Sequence, residues 1–145
     1  MAKFAQGKFT MKNPEKYVGT KTPMARSSWE FVFMRMLDEH PGVEKWASES
    51  IQIPYRDPLS GRYTIYVPDF FIVYSDKNGK SHAEVVEVKP ASQTIRAKVG
   101  KSAYNQEQYI KNLAKWEAAN AWCKQKNVKF RVVNESEIFH QGTRR

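Results

Sequence analysis

Two carboxylates and a lysine lie within otherwise apolar stretches of this sequence. Asp69 follows Pro68 in a run of β-branched and aromatic residues, and Glu87 and Lys89 lie in a second such run that ends 20 residues after Asp69. Buried charges are costly unless they are paired, hydrogen-bonded or bound to a cation. Because Mg²⁺ and Mn²⁺ prefer oxygen ligands, the pattern indicates a metal site in which Lys89 stabilises charge on a phosphate. The alternative for Glu87 and Lys89 is an ion pair on an exposed strand face.

A predicted β-hairpin carries these three residues. Residues 63–74 and 83–89 have the composition of strands, and the segment between them contains Asn78 and Gly79, which favour a tight turn. We therefore expect an antiparallel pair with the aspartate on one strand and the glutamate and lysine on the other. Pro68 cannot donate to the strand ladder, so a bulge or an edge at this point would turn the aspartate toward the glutamate.

Glu30 has two interpretations. Ser27 is a predicted helix N-cap and Glu30 stands three residues later, which is the spacing of a capping box. Apolar residues at helical spacing follow, and the helix is expected to end at His40. In the first interpretation Glu30 only caps this helix. In the second it is a further acid at the site of Asp69 and Glu87.

The remaining pattern predicts an α/β fold. A strand is expected at about residues 49–55, a long helix from about Ser102 or Asn105 to Lys126, and a last strand at residues 128–133. The order α-β-β-β-α-β predicts a single domain, residues 1–145, with a central mixed β-sheet flanked by helices. The predicted apolar stripe of the long helix contains Ile110, Leu113, Ala114, Ala118, Ala121 and Trp122.

The charge of the chain favours a polyanionic partner. The 145 residues carry a formal net charge of +9 and have a pI near 9.7, which is typical of proteins that bind nucleic acid. A basic arm occupies about residues 1–25, and a basic loop precedes the long helix. The residues of these two segments that we expect to contact DNA phosphates are Lys3, Lys8, Lys12, Arg96, Lys98 and Lys101.

Several other classes of protein are disfavoured. A single cysteine, Cys123, excludes a disulfide within the chain, and three scattered histidines argue against a structural zinc site. No apolar run approaches the roughly 20 residues that a membrane span needs. The opening residues lack the apolar region of a signal peptide, so we expect a cytosolic protein.

The acids and the lysine resemble the active site of PD-(D/E)xK nucleases, which have restriction-endonuclease-like folds. The matching residues are Pro68-Asp69 followed by Glu87-Val88-Lys89. Flanking motifs resemble the TnsA-like endonuclease family and, more narrowly, the head-completion nucleases of T4-like tailed bacteriophages. These motifs are residues 26–31, 37–39, 43–46, 53–55, 67–70 and 87–90. The resemblance extends over roughly residues 20–133 and includes the basic arm.

The resemblance implies an activity and a role for each site residue. It implies a Mg²⁺-dependent DNA endonuclease, in which Mn²⁺ would substitute for Mg²⁺. Asp69, Glu87, the Val88 backbone carbonyl and Glu30 would hold the metal, and Lys89 would be the catalytic lysine. Transposon relatives have Gln-x-Lys where this chain has Glu87-x-Lys89, so this site is closer to the general nuclease form.

The resemblance also implies a biological setting. The protein would act in completing the phage head after DNA packaging, in the cytoplasm of the infected host cell or in the virion head. Its partners would be DNA and the head, portal or neck proteins of the phage. Two other classes stay open. One is a structural head or connector component that binds DNA with an idle nuclease site, and the other is a basic nucleic-acid-binding module without chemistry.

Overall fold

The computed structural model of the chain describes residues 7–89 and 102–134. Four of the basic residues expected to contact DNA lie outside these ranges, namely Lys3, Arg96, Lys98 and Lys101. The described elements are, in chain order, β1 (Gly7–Lys8), a 3₁₀ turn (Pro14–Lys16), β2 (Met24–Ala25), α1 (Ser28–Glu39), β3 (Val43–Ser48), β4 (Ile53–Arg56), β5 (Tyr63–Tyr66), β6 (Phe70–Ser75), β7 (Ser81–Val88), α2 (Ala103–Gln125) and β8 (Lys129–Val133).

A four-stranded mixed sheet with the order β3-β6-β7-β8 forms the centre of the fold. β6 pairs antiparallel with both β3 and β7, and Phe70 lies opposite Val86 in the β6–β7 pair. β7 and β8 run parallel, which requires a long connection between them, and α2 lies in that connection. The predicted α/β fold with a central mixed sheet and flanking helices is confirmed.

Helices cover both faces of the sheet. Phe33, Met34 and Leu37 of α1 are buried in an apolar cluster that includes Val133 of β8. Phe130 of β8 packs instead against a second cluster, which contains residues of α2. Residues an odd number apart on a strand point to opposite faces, so α1 and α2 lie on opposite sides of the sheet. Burial of each large apolar side chain contributes about 1.5–3 kcal/mol.

A two-stranded ribbon, β4–β5, packs against α2 beside the central sheet. Ile53, Tyr55 and Tyr66 of the ribbon are buried together with Ala119 of α2. Ser102 caps this helix by accepting a hydrogen bond from the backbone N–H three residues on, at 3.4 Å. The predicted start of the long helix at Ser102 is therefore confirmed, and the ribbon is an element that the sequence did not predict.

The strands that precede β7 are divided differently from the prediction. The strand expected at about residues 49–55 is confirmed only in its second half, because β3 ends at Ser48 and β4 begins at Ile53 in a separate sheet. Glu49 has a φ of 51°, a left-handed conformation that interrupts a strand. The single strand expected at residues 63–74 is two strands, since β5 pairs with β4 and β6 pairs with β7. Pro68 lies in the break between them.

The predicted apolar stripe of α2 is wrong in part. Ile110 and Leu113 are 44% and 45% exposed, and Ala121 is exposed as well, while Ala119 and Cys123 are buried. The small side chains on the buried face let α2 lie close to the ribbon, so packing distance and not only hydrophobicity selects that face. The members of the predicted stripe that do pack against the second cluster are Ala114, Ala118 and Trp122. Among the described residues, no helix has both the length and the apolar character to cross a membrane.

The described part of the basic arm packs against the domain. Phe9 is buried, and its ring centroid lies 6.0 Å from that of Trp46 in an edge-on arrangement. Asp38, at the end of α1, accepts hydrogen bonds from the backbone N–H groups of Lys12 and Asn13 at 2.9 and 3.0 Å. These contacts fix the arm along the helix.

Candidate active site

Asp69 and Glu87 lie side by side where β6 begins and β7 ends. Asp69 Oδ2 accepts a hydrogen bond from the Val88 N–H at 2.8 Å, and Glu87 Oε1 accepts one from the Asp69 N–H at 3.3 Å. The Asp69 carboxylate is therefore held by the residue after Glu87, and the Glu87 carboxylate is held by the backbone of Asp69. The antiparallel pairing of Phe70 with Val86 sets this arrangement, because it brings the two neighbouring residues level. The structure brings the two predicted acids together, and their roles remain predictions.

The two carboxyl groups lie side by side, with Glu87 buried and Asp69 partly exposed. Burial raises the pKa of Asp69 well above its usual value, and the neighbouring charge of Glu87 raises it further. Burial also raises the pKa of Glu87, although Lys89 and the Tyr66 hydroxyl act in the opposite direction. Holding both groups ionised is therefore unfavourable without a further cation. A divalent cation in contact with both carboxylates would offset this cost.

Lys89 joins the pair at the edge of the buried region. Its Nζ atom lies 3.6 Å from Glu87 Oε2, and its side chain is 28% exposed while that of Glu87 is 7% exposed. The ammonium therefore reaches both the buried carboxylate and solvent. The alternative interpretation of an ion pair on an exposed strand face is wrong, because Glu87 is buried.

Glu30 combines parts of both of its interpretations. Its backbone N–H donates to Ser27 Oγ at 3.1 Å, so the predicted N-cap is confirmed. Its carboxylate accepts from the Arg26 N–H at 3.2 Å instead of the N-cap N–H of a capping box. Burial raises the pKa of Glu30, and the charges of Glu49 and Glu87 raise it further. Glu30 is thus a half-buried acid in the electrostatic field of the Asp69–Glu87 pair.

The donor set at this site fits a hard divalent cation. Asp69 and Glu87 supply carboxylate oxygens, and their mutual repulsion favours a bound positive charge. In residues 7–89 and 102–134, no group of three or more His, Cys, Asp or Glu residues is arranged to hold one ion. The pair is therefore the core of the candidate metal site. The participation of Glu30 and of the Val88 carbonyl stays a prediction.

Tyr66 is a site residue that the sequence did not indicate. It lies at the end of β5, is buried, and donates its hydroxyl hydrogen to Glu87 Oε1 at 2.8 Å. Burial raises its pKa above the ordinary value, and the charge of Glu87 adds to the effect, so the hydroxyl remains a donor. Within an apolar run, a tyrosine has no sequence signal that separates this role from core packing.

Arg26 and Glu49 form an ion pair next to Glu30. Arg26 Nε and one terminal nitrogen lie 2.8 and 3.2 Å from the two oxygens of Glu49, which is a bidentate arrangement. The hydrogen bond to Arg26 lowers the pKa of Glu49. The backbone N–H of Glu49, which has a left-handed conformation, donates to the Asp69 carbonyl at 2.9 Å. This hydrogen bond connects the Arg26–Glu49 ion pair to the residue before β6.

Lys115 is the second basic residue near the pair. It lies on α2 with its Nζ atom 5.8 Å from the centroid of the Tyr66 ring. Burial lowers its pKa, and the positive charge of Lys89 lowers it further, while Glu87 acts in the opposite direction. The sequence placed it off the apolar stripe of the helix and gave no reason to link it to the site.

The described lysines of the basic arm lie away from the acids. Lys12 Nζ is 3.4 Å from Glu39 Oε2, at the end of α1 opposite to Glu30. Nine residues of helix separate these two glutamates, a distance of about 13 Å. Lys8 pairs with Met24 in the β1–β2 ribbon. Neither lysine is brought beside the acids by a described contact, and their contact with DNA stays a prediction.

Two grooves of the described residues, of about 790 and 610 Å³, lie elsewhere, and neither is lined by Asp69, Glu87 or Lys89.

Comparison of the sequence with known proteins matches the chain to a nuclease family. The family model described as TnsA-like endonuclease N terminal matches residues 40–135, which contain Asp69, Glu87 and Lys89. The chain belongs to the TnsA-like endonuclease family. The chain is also 30% identical over 142 residues to the head completion nuclease of Enterobacteria phage T4, an alignment that covers 91% of the chain and 92% of the relative. Glu30 lies outside the residues that the family model matches.

Proposed function

We propose that this protein is a Mg²⁺-dependent DNA endonuclease that hydrolyses phosphodiester bonds in phage head completion. The observation that carries the proposal is the pair of the buried Glu87 and the half-buried Asp69, with Lys89 beside it, in a member of the TnsA-like endonuclease family. Two repelling carboxylates next to an accessible ammonium are the parts that a metal-assisted phosphoryl hydrolysis needs.

The side chains have separate tasks in this proposal. Asp69 and Glu87 would hold Mg²⁺, with Glu30 and the Val88 carbonyl completing the set of oxygen ligands. The bound ion would lower the pKa of a water molecule and neutralise charge on the phosphate. Lys89 would stabilise the charge that develops on the phosphate oxygens, and Tyr66 would keep Glu87 in position through its hydrogen bond.

The substrate and the biological role are supported by charge and by likeness to the T4 relative. A net charge of +9 favours binding to a polyanion, and contacts with phosphates give little sequence preference. The relative from phage T4 is named a head completion nuclease and aligns over nearly its whole length. Head, portal or neck proteins are accordingly proposed as partners alongside DNA.

The direct test is nicking of supercoiled plasmid by purified protein in Mg²⁺ and in EDTA. The parent should nick in Mg²⁺ or Mn²⁺ only. Asp69→Ala, Glu87→Ala and Lys89→Ala should each abolish nicking, and double variants should be no worse than single ones, because the three residues act as a unit. If the three single variants nick like the parent in Mg²⁺, the assignment of the site is wrong.

Metal binding is tested separately from cleavage. Mg²⁺ or Mn²⁺ should raise the melting temperature of the parent, since a ligand that binds only the folded state stabilises it. The rise should be lost in Asp69→Ala and Glu87→Ala and should persist in Lys89→Ala. An equal rise in all four proteins would contradict a metal site at the carboxylate pair.

A structural head or connector component that binds DNA is the second candidate. It is favoured by one observation, namely that no three acidic, histidine or cysteine residues in the described ranges form a group able to hold an ion. This candidate predicts DNA binding without nicking in any divalent metal and no stabilisation of the parent by Mg²⁺.

A further inference from the structure

Lys115 occupies an unusual position for a lysine. Its side chain lies on the face of α2 that meets the ribbon, with the ammonium over the ring of Tyr66. Tyr66 in turn donates to Glu87, so the ammonium lies one side chain away from the candidate metal ligands. Lysine side chains on helices ordinarily extend into water, whereas this one is only partly exposed.

The ammonium of Lys115 has no matched negative partner. Across residues 7–89 and 102–134, no carboxylate lies within 4.0 Å of it, and its electrostatic neighbours include the positive charges of Lys89 and Lys111. Lys111, one turn earlier on the same face, is weakly paired with Asp57 at 3.9 Å. Glu87 and Asp57 are its attractive neighbours, but Glu87 already accepts from Tyr66 and contacts Lys89, and Asp57 is paired with Lys111.

Lys89 contacts the acid pair, Lys115 lies over the ring of Tyr66, and Lys111 follows one turn away on α2. Asp57 offsets one of these three positive charges, so a divalent cation that neutralises the acid pair would leave a net positive surface at the site. Such a surface favours an anion, and the phosphates of a DNA strand are anions with a regular spacing. Lys111 and Lys115 are separated by about 6 Å along the helix, so they are placed to contact successive positions on one strand.

We propose that the face of α2 bearing Lys111 and Lys115 is the surface that binds the DNA backbone beside the active site, with Lys115 contacting the phosphate nearest the acids. The proposal rests on the proposed DNA endonuclease function and adds the path of the strand. It places the main phosphate contacts on α2, whereas the sequence pattern placed them on the basic arm and the loop before α2.

The experiment compares Lys115→Gln with Lys124→Gln. Lys124 lies on the same helix, nine residues on and half a turn round, and is exposed. Both variants remove one positive charge, so they differ only in the face that loses it. Binding to a plasmid-derived duplex is measured in EDTA over 0.05–0.2 M salt, conditions in which no cleavage takes place.

Lys115→Gln should reduce the slope of log K against log salt by about 0.9, the value for one lost phosphate contact. Binding should be about 15-fold weaker at 0.05 M salt and about fourfold weaker at 0.2 M. Lys124→Gln should leave the slope unchanged, and Lys115→Arg should restore it because the charge is kept. Lys111→Gln should change the slope in the same direction by a smaller amount, and it provides the result if Lys115→Gln does not fold.

Equal slopes for the Lys115→Gln and Lys124→Gln variants would overturn the proposal. It would also be overturned if Lys115→Gln lost nicking with an unchanged slope, because Lys115 would then act through Tyr66 and Glu87 and not through DNA. Binding in EDTA separates this test from the proposed function. A parent that binds DNA with the expected slopes but never nicks would refute the nuclease and leave the binding surface in place.

Discussion

Glu84 and Glu87 lie on one strand, and their comparison shows what makes a buried glutamate a candidate site. Both are buried, at 6% and 5% exposure, and each accepts a hydrogen bond from a tyrosine hydroxyl, at 2.9 and 2.8 Å. Each also lies beside a basic side chain, Arg131 at 3.2 Å for Glu84 and Lys89 at 3.6 Å for Glu87. The difference is Asp69, whose carboxylate is buried next to that of Glu87.

The neighbouring aspartate changes the charge balance. At Glu84 one carboxylate meets one guanidinium, and the tyrosine satisfies a further lone pair, so the group is internally complete. At Glu87 two carboxylates share one lysine, and burial raises the pKa of both acids. A buried charge that the protein leaves unmatched indicates a ligand, while a matched one indicates structure.

The largest effect that follows from this comparison is on cleavage. Glu87→Gln keeps the shape of the side chain but removes a negative oxygen from the candidate metal site, so nicking should fall by about 10³-fold or more. Glu84→Gln removes the same charge from the other face of the same strand and should stay within about threefold of the parent. The measurement is the initial rate of plasmid nicking in Mg²⁺ for both proteins. Equal rates for the two variants would remove the functional distinction between the glutamates.

A smaller effect on cleavage is expected when Glu30 is changed. The variant distinguishes a Glu30 that only stabilises the start of α1 from one that is a third acid at the metal site. Glu30→Gln retains an oxygen that can accept from the Arg26 N–H, so helix α1 should be unaffected. If the charge of Glu30 helps to hold the metal, nicking should fall by about 10²-fold while the melting temperature moves little. Normal nicking by this variant would return Glu30 to a purely structural role.

Stability should respond in the opposite way from cleavage. In EDTA, Glu84→Gln should lower the free energy of unfolding by about 1–2 kcal/mol, because Arg131 loses its charged partner while part of its side chain stays in water. Glu87→Gln should leave it unchanged or raise it, since the repulsion from Asp69 is removed. Urea unfolding of both variants provides the comparison. A larger loss for Glu87→Gln than for Glu84→Gln would contradict the charge balance described above.

Some parts of this site could be predicted from sequence because they are local. Pro68-Asp69 and Glu87-x-Lys89 are short patterns within strands, and the β6–β7 turn at Asn78-Gly79 brings them together, with Gly79 at a φ of 77°. The cap at Ser27 is equally local. For these features, the spacing of residues along the chain carries the information.

Tyr66 and Lys115 could not be predicted because their roles depend on pairings between distant segments. Tyr66 reaches Glu87 only because residues 63–66 leave the central sheet and pair with β4. Lys115 faces the site because of the rotation of α2, and the hydrophobic pattern predicted this rotation only in part, since Ile110 and Leu113 of the predicted stripe are exposed. The sequence separates Glu84 from Glu87 only through Lys89, which stands two residues after Glu87, whereas Val86 stands two residues after Glu84.

The smallest and most specific effect is a change of sign in the pH dependence of stability. Burial raises the pKa of Asp69 in the folded protein above its unfolded value of about 4. The folded state then binds more protons between these two pKa values, so the free energy of unfolding that Asp69 contributes falls as the pH rises through this range. Asp69→Asn removes this decrease in the free energy of unfolding and also removes the charge repulsion on Glu87. In EDTA the stability of the variant relative to the parent should therefore increase from pH 4 to pH 8.

Asp76 provides a matched control with the opposite sign. The hydrogen bond from His82 lowers the pKa of Asp76, so its contribution is present above the unfolded pKa and is lost as the pH falls. Asp76→Asn should therefore be less stable than the parent by a nearly constant amount above about pH 4, and this deficit should shrink as the pH falls below about 4. Melting temperatures of the three proteins in EDTA, followed from about pH 8 down to about pH 2.5, would measure both trends. Saturating Mg²⁺ should abolish the stability advantage of Asp69→Asn, because only the parent keeps both carboxylates to bind the ion. If the advantage persisted in Mg²⁺, the two acids would repel each other without serving as a metal site.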